Sequence, residues 1–149
     1  WSPNLTAERA AAVGATLVSK DELMARSDVL SIHLVLSERT RGLVGKADLA
    51  RMKQEAYLIN TSRGPIVDEA ALADHLRQRK IAGAGIDVFS VEPLPMESPY
   101  RGLDNIVLTP HLGYVTRDNY AHHFPQVVEI VRAFLRGEVV KGINKLPVR

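Results

Sequence analysis

Cysteine is absent from this sequence, which removes disulfides, thiolate nucleophiles and cysteine-based metal sites at once and fits a reducing compartment, with the cytoplasm as the expectation. A large excess of one charge sign is also missing. The chain has 19 basic against 17 acidic side chains, which provides no basic stripe for tracking phosphates and argues against a nucleic acid partner. Long hydrophobic runs are lacking too: Val29 to Leu36 is interrupted by Ser31 and His33 and falls well short of the roughly 20 residues that cross a bilayer. No membrane association is expected. Repeats and low-complexity tracts are absent, and the chain opens on Trp1 with neither an initiating methionine nor a leader, which reads as a cut in a longer protein.

What is present is an ordinary globular balance, 46% apolar and 24% charged over 149 residues, which fits one domain. Short apolar runs at Thr16 to Val18, Val29 to Leu34, Ala56 to Asn60, Ala84 to Phe89 and Ile106 to Thr109 read as strands with helical patterns between them. Several are continuous rather than alternating, which a parallel strand covered by helices on both faces requires. The expected fold class is therefore α/β, with a mostly parallel sheet. Crossover helices follow from the Ala-rich Ala7 to Val13, from Ser19 with Glu22 as a capping box, and from Asp68 opening Glu69 to Arg79. Val127, Val128, Ile130, Val131, Phe134 and Leu135 recur at helical spacing, which predicts a last helix from about Thr116 to Arg136, stopped by Gly137 and kinked or restarted at Pro125. Pro93, Pro95, Pro99 and Gly102 make Ser90 to Asn105 an ordered excursion of the kind that is often functional.

Three strings carry chemistry. Asn60-Thr61-Ser62-Arg63-Gly64-Pro65 follows a buried strand and runs into a helix, and ligands of open parallel sheets bind at the carboxyl ends of strands. Arg63 there can hold a carboxylate by a two-point contact. Alone, an arginine in a surface salt bridge is the simpler reading, which the adjoining Gly64-Pro65 turn tempers. Gly85 to Pro93 is again a strand running off its carboxyl end: Asp87 either accepts from a ligand amide or caps a neighbouring turn, since a bare buried carboxylate is costly. Glu92 alone would be a solvated loop residue. In Leu108-Thr109-Pro110-His111-Leu112-Gly113 a histidine, able to give and take a proton, directly follows the last strand. Singly His111 reads as structural; in conjunction, an arginine, a carboxylate and a histidine at strand ends of one sheet suggest a site. Of the remaining histidines, His33 reads as a satisfied core or edge residue, His75 as a surface residue of an amphipathic helix, and the adjacent His122 and His123 as pointing to different helix faces. No metal site follows.

The strings NTSRGPIVDE, GIDVFSVEP and LTPHLG, in that order and with 24 residues from Arg63 to Asp87, resemble the signatures of the D-isomer-specific 2-hydroxyacid dehydrogenases. The similarity runs along essentially the whole chain, including SDVLSIHLVLSERTRGLVG. The resemblance implies a Rossmann-like fold in which residues 1–149 form part of a dinucleotide-binding domain and residues 116–149 form a carboxyl-terminal helix and a tail returning toward a substrate domain. It implies NAD or NADP as cofactor, a small 2-oxo or 2-hydroxy acid as substrate, and a homodimer. By position, Arg63 would bind the carboxylate and carbonyl of the 2-oxo acid, His111 would donate the proton, and Glu92 would hold the imidazole. Asp87 and Gly113 would meet the nicotinamide carboxamide, with Asn60 and Thr61 beside its ribose.

The sequence departs from that family in three ways. It contains no G-x-G-x-x-G turn, which is expected just upstream of Trp1, and it has no counterpart of the amino-terminal substrate lobe, so weak cofactor binding and no turnover are expected of this stretch alone. The acid that usually ends the second strand is also missing from Trp1-Ser2-Pro3-Asn4, which leaves room for the NADP phosphate, with Arg9 as a conceivable partner. The resemblance extends equally to dinucleotide-sensing corepressors that share the fold and the three residues but act by recruiting partners. Glyoxylate, hydroxypyruvate and phosphoglycerate all remain open as substrates; formate is disfavoured, because that branch carries glutamine where this chain has Glu92.

Overall fold

In a computed structural model that describes residues 1–138, the chain divides into two compact units, Trp1–His111 and Leu112–Arg149. The first unit holds a sheet of four strands: β1 (Val29–Ile32), β2 (Tyr57–Asn60), β3 (Gly83–Ile86) and β4 (Ile106–Leu108). They lie in the order β1-β2-β3-β4, and every pairing is parallel. Because consecutive parallel strands need crossovers, helices intervene: α1 (Ala7–Ala11) and α2 (Lys20–Arg26) precede the sheet, α3 (Lys46–Leu49) lies between β1 and β2, and α4 (Glu69–Arg77) joins β2 to β3.

Local signals set several of these elements. Ser19 and Glu22 form a reciprocal capping box at the start of α2, and the Asp68 side chain accepts from the Ala71 N–H at 3.0 Å to start α4. Lys20 joins α2 to α3 through Asp48 at 2.8 Å. The strand run expected at Thr16 to Val18 is irregular instead. A three-residue apolar run is a strand only if a neighbour pairs with it, and among the described residues no strand pairs with Thr16 to Val18, the sheet ending at β1.

The register sets the two faces of the sheet. Leu30, Leu58 and Ala84 are mutual partners, as are Ile32, Asn60 and Ile86, and all six are buried beside Leu72, Leu76 and Ile66. The opposite face is open: Val29, Tyr57 and Val107 are exposed. Expected cover on both faces is therefore present on one only within this unit. His75 also departs from expectation, being 3% exposed rather than on the surface. The reason is the width of the buried side of α4, which takes in Ala71, Leu72, Ala73, His75 and Leu76, so that His75 Nδ1 meets the Ala71 carbonyl oxygen at 2.8 Å.

The second unit is dominated by α5 (Arg117–Leu135), capped by the Thr116 side chain. The helix runs as one element through Pro125, because a single proline deletes one N–H bond while the turns on either side keep theirs. Gly137 ends it with a φ of 74°. Within α5 Ala133 alone is buried, while Phe124, Phe134 and Leu135 are exposed. The expected return of residues 141–149 toward a substrate domain lies outside the described residues.

Candidate active site

The carboxyl ends of β2, β3 and β4 each release the chain into a loop that carries one of the three candidate residues. At β2, buried Asn60 shapes the exit: its Oδ1 accepts from the Ser62 N–H at 3.0 Å and its Nδ2 donates to the Arg63 carbonyl at 3.1 Å. The Ser62 hydroxyl donates to the Leu34 carbonyl, tying this loop to the one after β1. Arg63 is thereby presented in extended backbone, φ −147° and ψ 135°, immediately before a single 3-10 turn over Gly64–Ile66. Its side chain is exposed, with Nη1 donating to the Ser62 carbonyl at 2.6 Å. Asn60, expected beside a ribose, is 1% exposed with both ends of its amide engaged inside the loop, whereas Thr61 is exposed.

Gly64 brings the β2 and β3 exits together. An added Cβ there would stand 2.1 Å from the Phe89 carbonyl carbon and 2.5 Å from the Ser90 nitrogen, so only glycine permits the approach. On the β3 side, the Asp87 N–H donates to the Asn60 carbonyl at 3.0 Å. The Asp87 side chain is 6% exposed and its Oδ1 accepts the Thr109 hydroxyl, which links the exits of β3 and β4. Farther on, Glu92 folds back so that Oε1 accepts from the Phe89 N–H at 2.9 Å.

His111 closes the arrangement from β4. Its backbone is left-handed, φ 56°, a conformation that costs a non-glycine residue on the order of 1–3 kcal/mol and persists where surrounding contacts enforce it. Here its N–H donates to the Asp87 carbonyl at 2.8 Å and lies 3.0 Å from that of Thr109. The ring is thus held with Nδ1 2.8 Å from Glu92 Oε2. The hydrogen bond from His111, followed by that from the Phe89 N–H, holds the Glu92 carboxyl below the usual glutamate range against the opposing effect of burial, with the charges of His111 and Arg63 contributing least. An ionised carboxylate only accepts, so the proton of this bond sits on Nδ1. Glu92 and His111 border a cleft of about 560 Å³ whose apolar walls include Phe89, Leu94, Leu108 and Pro110.

Arg63 does not line that cleft; it acts on Glu92 through charge. Gly113 belongs to the second unit. His33 lies exposed beyond β1, with Nε2 2.8 Å from the Ser31 hydroxyl. Among the described residues no group of three His, Asp or Glu side chains is arranged to hold a metal ion, and no helix is long and apolar enough to cross a membrane. Two contributors escape a reading of the sequence: Thr109, two residues before His111, and Glu69, whose Oε1 accepts from the Ser90 N–H at 2.6 Å. A first-turn acid and a strand-end threonine carry no distinguishing signal of their own.

A parallel sheet whose carboxyl edge gathers an arginine and a carboxylate-bound histidine has the ligand edge of an open α/β nucleotide-binding fold. Residues 1–113 match the family described as D-isomer specific 2-hydroxyacid dehydrogenase, NAD binding domain, and the chain belongs to that family. It is 41% identical over 127 residues to a glyoxylate reductase of Korarchaeum cryptofilum, covering 85% of this chain and 38% of that protein. It is also 41% identical over 140 residues to a D-3-phosphoglycerate dehydrogenase of Mycobacterium leprae, covering 94% and 26%. Among solved structures, a D-isomer specific 2-hydroxyacid dehydrogenase from Xanthobacter autotrophicus Py2 in complex with NADPH and MES superposes with a TM-score of 0.64 at 41% identity, covering 83% of this chain and 51% of that one. The chain therefore spans less than half the length of the curated relatives named here.

Proposed function

We propose that this domain, within a chain of its relatives' length, supports the reversible reduction of a small 2-oxo acid to a D-2-hydroxy acid. The observation that carries the reading is the 2.8 Å bond between His111 Nδ1 and Glu92 Oε2 at the carboxyl edge of the sheet. The edge suits the nicotinamide end of a dinucleotide in its donor set: Asp87 is a buried carboxylate, and a carboxylate accepts up to about four hydrogen bonds, which suits a carboxamide NH₂. Asn60, Thr61, Asp87 and Gly113 are the residues assigned to that half. When bound, NADH or NADPH supplies the hydride, which no side chain does.

The chain's own residues do the rest. Arg63 holds the substrate carboxylate, its planar guanidinium matching two oxygens at once. His111 delivers a proton from Nε2 to the substrate oxygen as it gains charge, and in the oxidation direction the same nitrogen takes that proton back. Glu92 fixes the ring through Nδ1 and stabilises the imidazolium between turnovers. Use of either NAD or NADP, a cytoplasmic location and a homodimer belong to the same reading, supported by the missing acid in Trp1 to Asn4, by the lack of cysteine and by the exposed apolar side chains of α5.

The test is oxidation of NADH and NADPH with glyoxylate and hydroxypyruvate, followed by nicotinamide absorbance in the relatives'-length chain. Turnover that depends on His111 is expected. Turnover unaffected by His111→Ala would remove His111 as the proton donor, and no turnover with either acid would overturn the reading.

A further inference from the structure

The loop that carries Glu92 leaves β3 at Ile86 and crosses the start of α4 before reaching Pro93. Its backbone is gripped there from two sides. Gly64 packs against the peptide joining Phe89 to Ser90, at distances no side chain would allow. From α4, Glu69 Oε1 accepts the Ser90 N–H at 2.6 Å, across 21 residues of sequence. The neighbouring N–H, that of Phe89, is the one that Glu92 Oε1 accepts at 2.9 Å, while Glu92 Oε2 meets His111. Glu69 is thus one peptide removed from the group that aims Glu92. It also stands close to buried Tyr100, near the far end of the same excursion: burial first, then the charges of Glu69 and Asp68, push the Tyr100 phenol pKa upward.

An acid in the first turn of a helix is ordinarily explained by the helix dipole alone. That explanation does not require a bond to a distant backbone N–H, and Asp68 already caps this helix. We propose that Glu69 is a positioning residue for the candidate active site: by holding the Ser90 N–H it sets the backbone from which Glu92 reaches His111. The inference deepens the dehydrogenase reading and rests on it for its functional meaning. Its geometry stands by itself.

Three substitutions separate reach from charge. Glu69→Gln keeps a side-chain carbonyl of the same length and loses the charge; Glu69→Asp keeps the charge and loses the length; Glu69→Ala loses both. The readouts, taken on the 149-residue chain, are the titration midpoint of the Glu92 carboxyl by carbon-13 NMR and the proton signal of His111 Nδ1. Glu69→Asp and Glu69→Ala are expected to raise the Glu92 midpoint toward that of an ordinary glutamate and to broaden or abolish the Nδ1 proton signal, with Glu69→Gln resembling the parent. Removing a negative charge near Glu92 would by itself move the midpoint down, so a rise reports lost positioning. Should Glu69→Ala fail to fold, Glu69→Asp, which keeps the helix-start charge, carries the test. Midpoint and proton signal unchanged in folded Glu69→Asp would overturn the proposal and leave Glu69 as a helix-start acid. Failure of the relatives'-length chain to oxidise NADH or NADPH with glyoxylate or hydroxypyruvate would instead overturn the dehydrogenase reading and leave the positioning geometry intact.

Discussion

Gly64 and Phe89 meet backbone to backbone, so closely that a methyl group on Gly64 would stand 2.1 Å from the Phe89 carbonyl carbon. Through that contact the loop bearing Arg63 and the loop bearing Glu92 share one position. Gly64→Ala is expected to force them apart, destabilising the fold by roughly 1–3 kcal/mol and broadening the His111 Nδ1 proton signal. Urea unfolding and NMR check both. Gly102→Ala is the control, because nothing lies within 4 Å of an added Cβ there, and a change within about 0.5 kcal/mol is expected.

Glu92 should titrate below the ordinary glutamate value of 4.5, because its charged form accepts from His111 and from the Phe89 N–H. A carboxyl whose folded pKa is depressed contributes stability that is present above its unfolded pKa and lost as pH falls through the folded one. The pairing with His111 is therefore expected to persist through neutral pH and down past 4.5. It should fail only on further acidification. Carbon-13 titration of the carboxyl group checks this, and His111→Ala is expected to raise the midpoint. A midpoint at or above the ordinary value would show that the bond is not formed in solution.

In the relatives'-length chain, His111→Ala is expected to lower kcat by about two to four orders of magnitude, the usual contribution of a positioned acid or base. Arg63→Lys is expected to raise KM and lower kcat together, since an ammonium does not reproduce a planar two-point contact with a carboxylate. Steady-state kinetics with glyoxylate and hydroxypyruvate separate the two. An Arg63→Lys enzyme with an unchanged KM would remove Arg63 from substrate binding.

The 149-residue chain contains no G-x-G-x-x-G turn, and backbone N–H groups of such turns provide much of the hold on a pyrophosphate. Calorimetric titration with NADH or NADPH is expected to give dissociation constants weaker than about micromolar, near −8 kcal/mol. Tighter binding would mean that the residues from Trp1 onward supply the pyrophosphate contacts by other means.

The candidate site is legible in the sequence where a chemical residue lies close behind an apolar run: Arg63 and His111 each stand three residues past a strand end, Asn60 and Leu108, and parallel strands of one sheet deliver their exits to one edge. Glu92, six residues past Ile86, is legible only through the motif around it. Features that depend on neighbours are not legible. Thr16 to Val18 has strand-like composition but no pairing partner among the described residues, and His75 is polar yet lies within the broad buried side of α4. Helix α3 is one turn long, too short to show a period. The bond from Ser90 to Glu69 and the hydroxyl of Thr109 on Asp87 join residues far apart in sequence, and nothing in either local string announces them.

Strand β4 has only three residues, Ile106–Leu108, and among the described residues it pairs with β3 alone. It is also the element that delivers His111. In the proposed reading the proton donor therefore hangs on the shortest strand of the described sheet, and a lesion that frays β4 is expected to part His111 from Glu92 while β1, β2 and β3 keep their pairing.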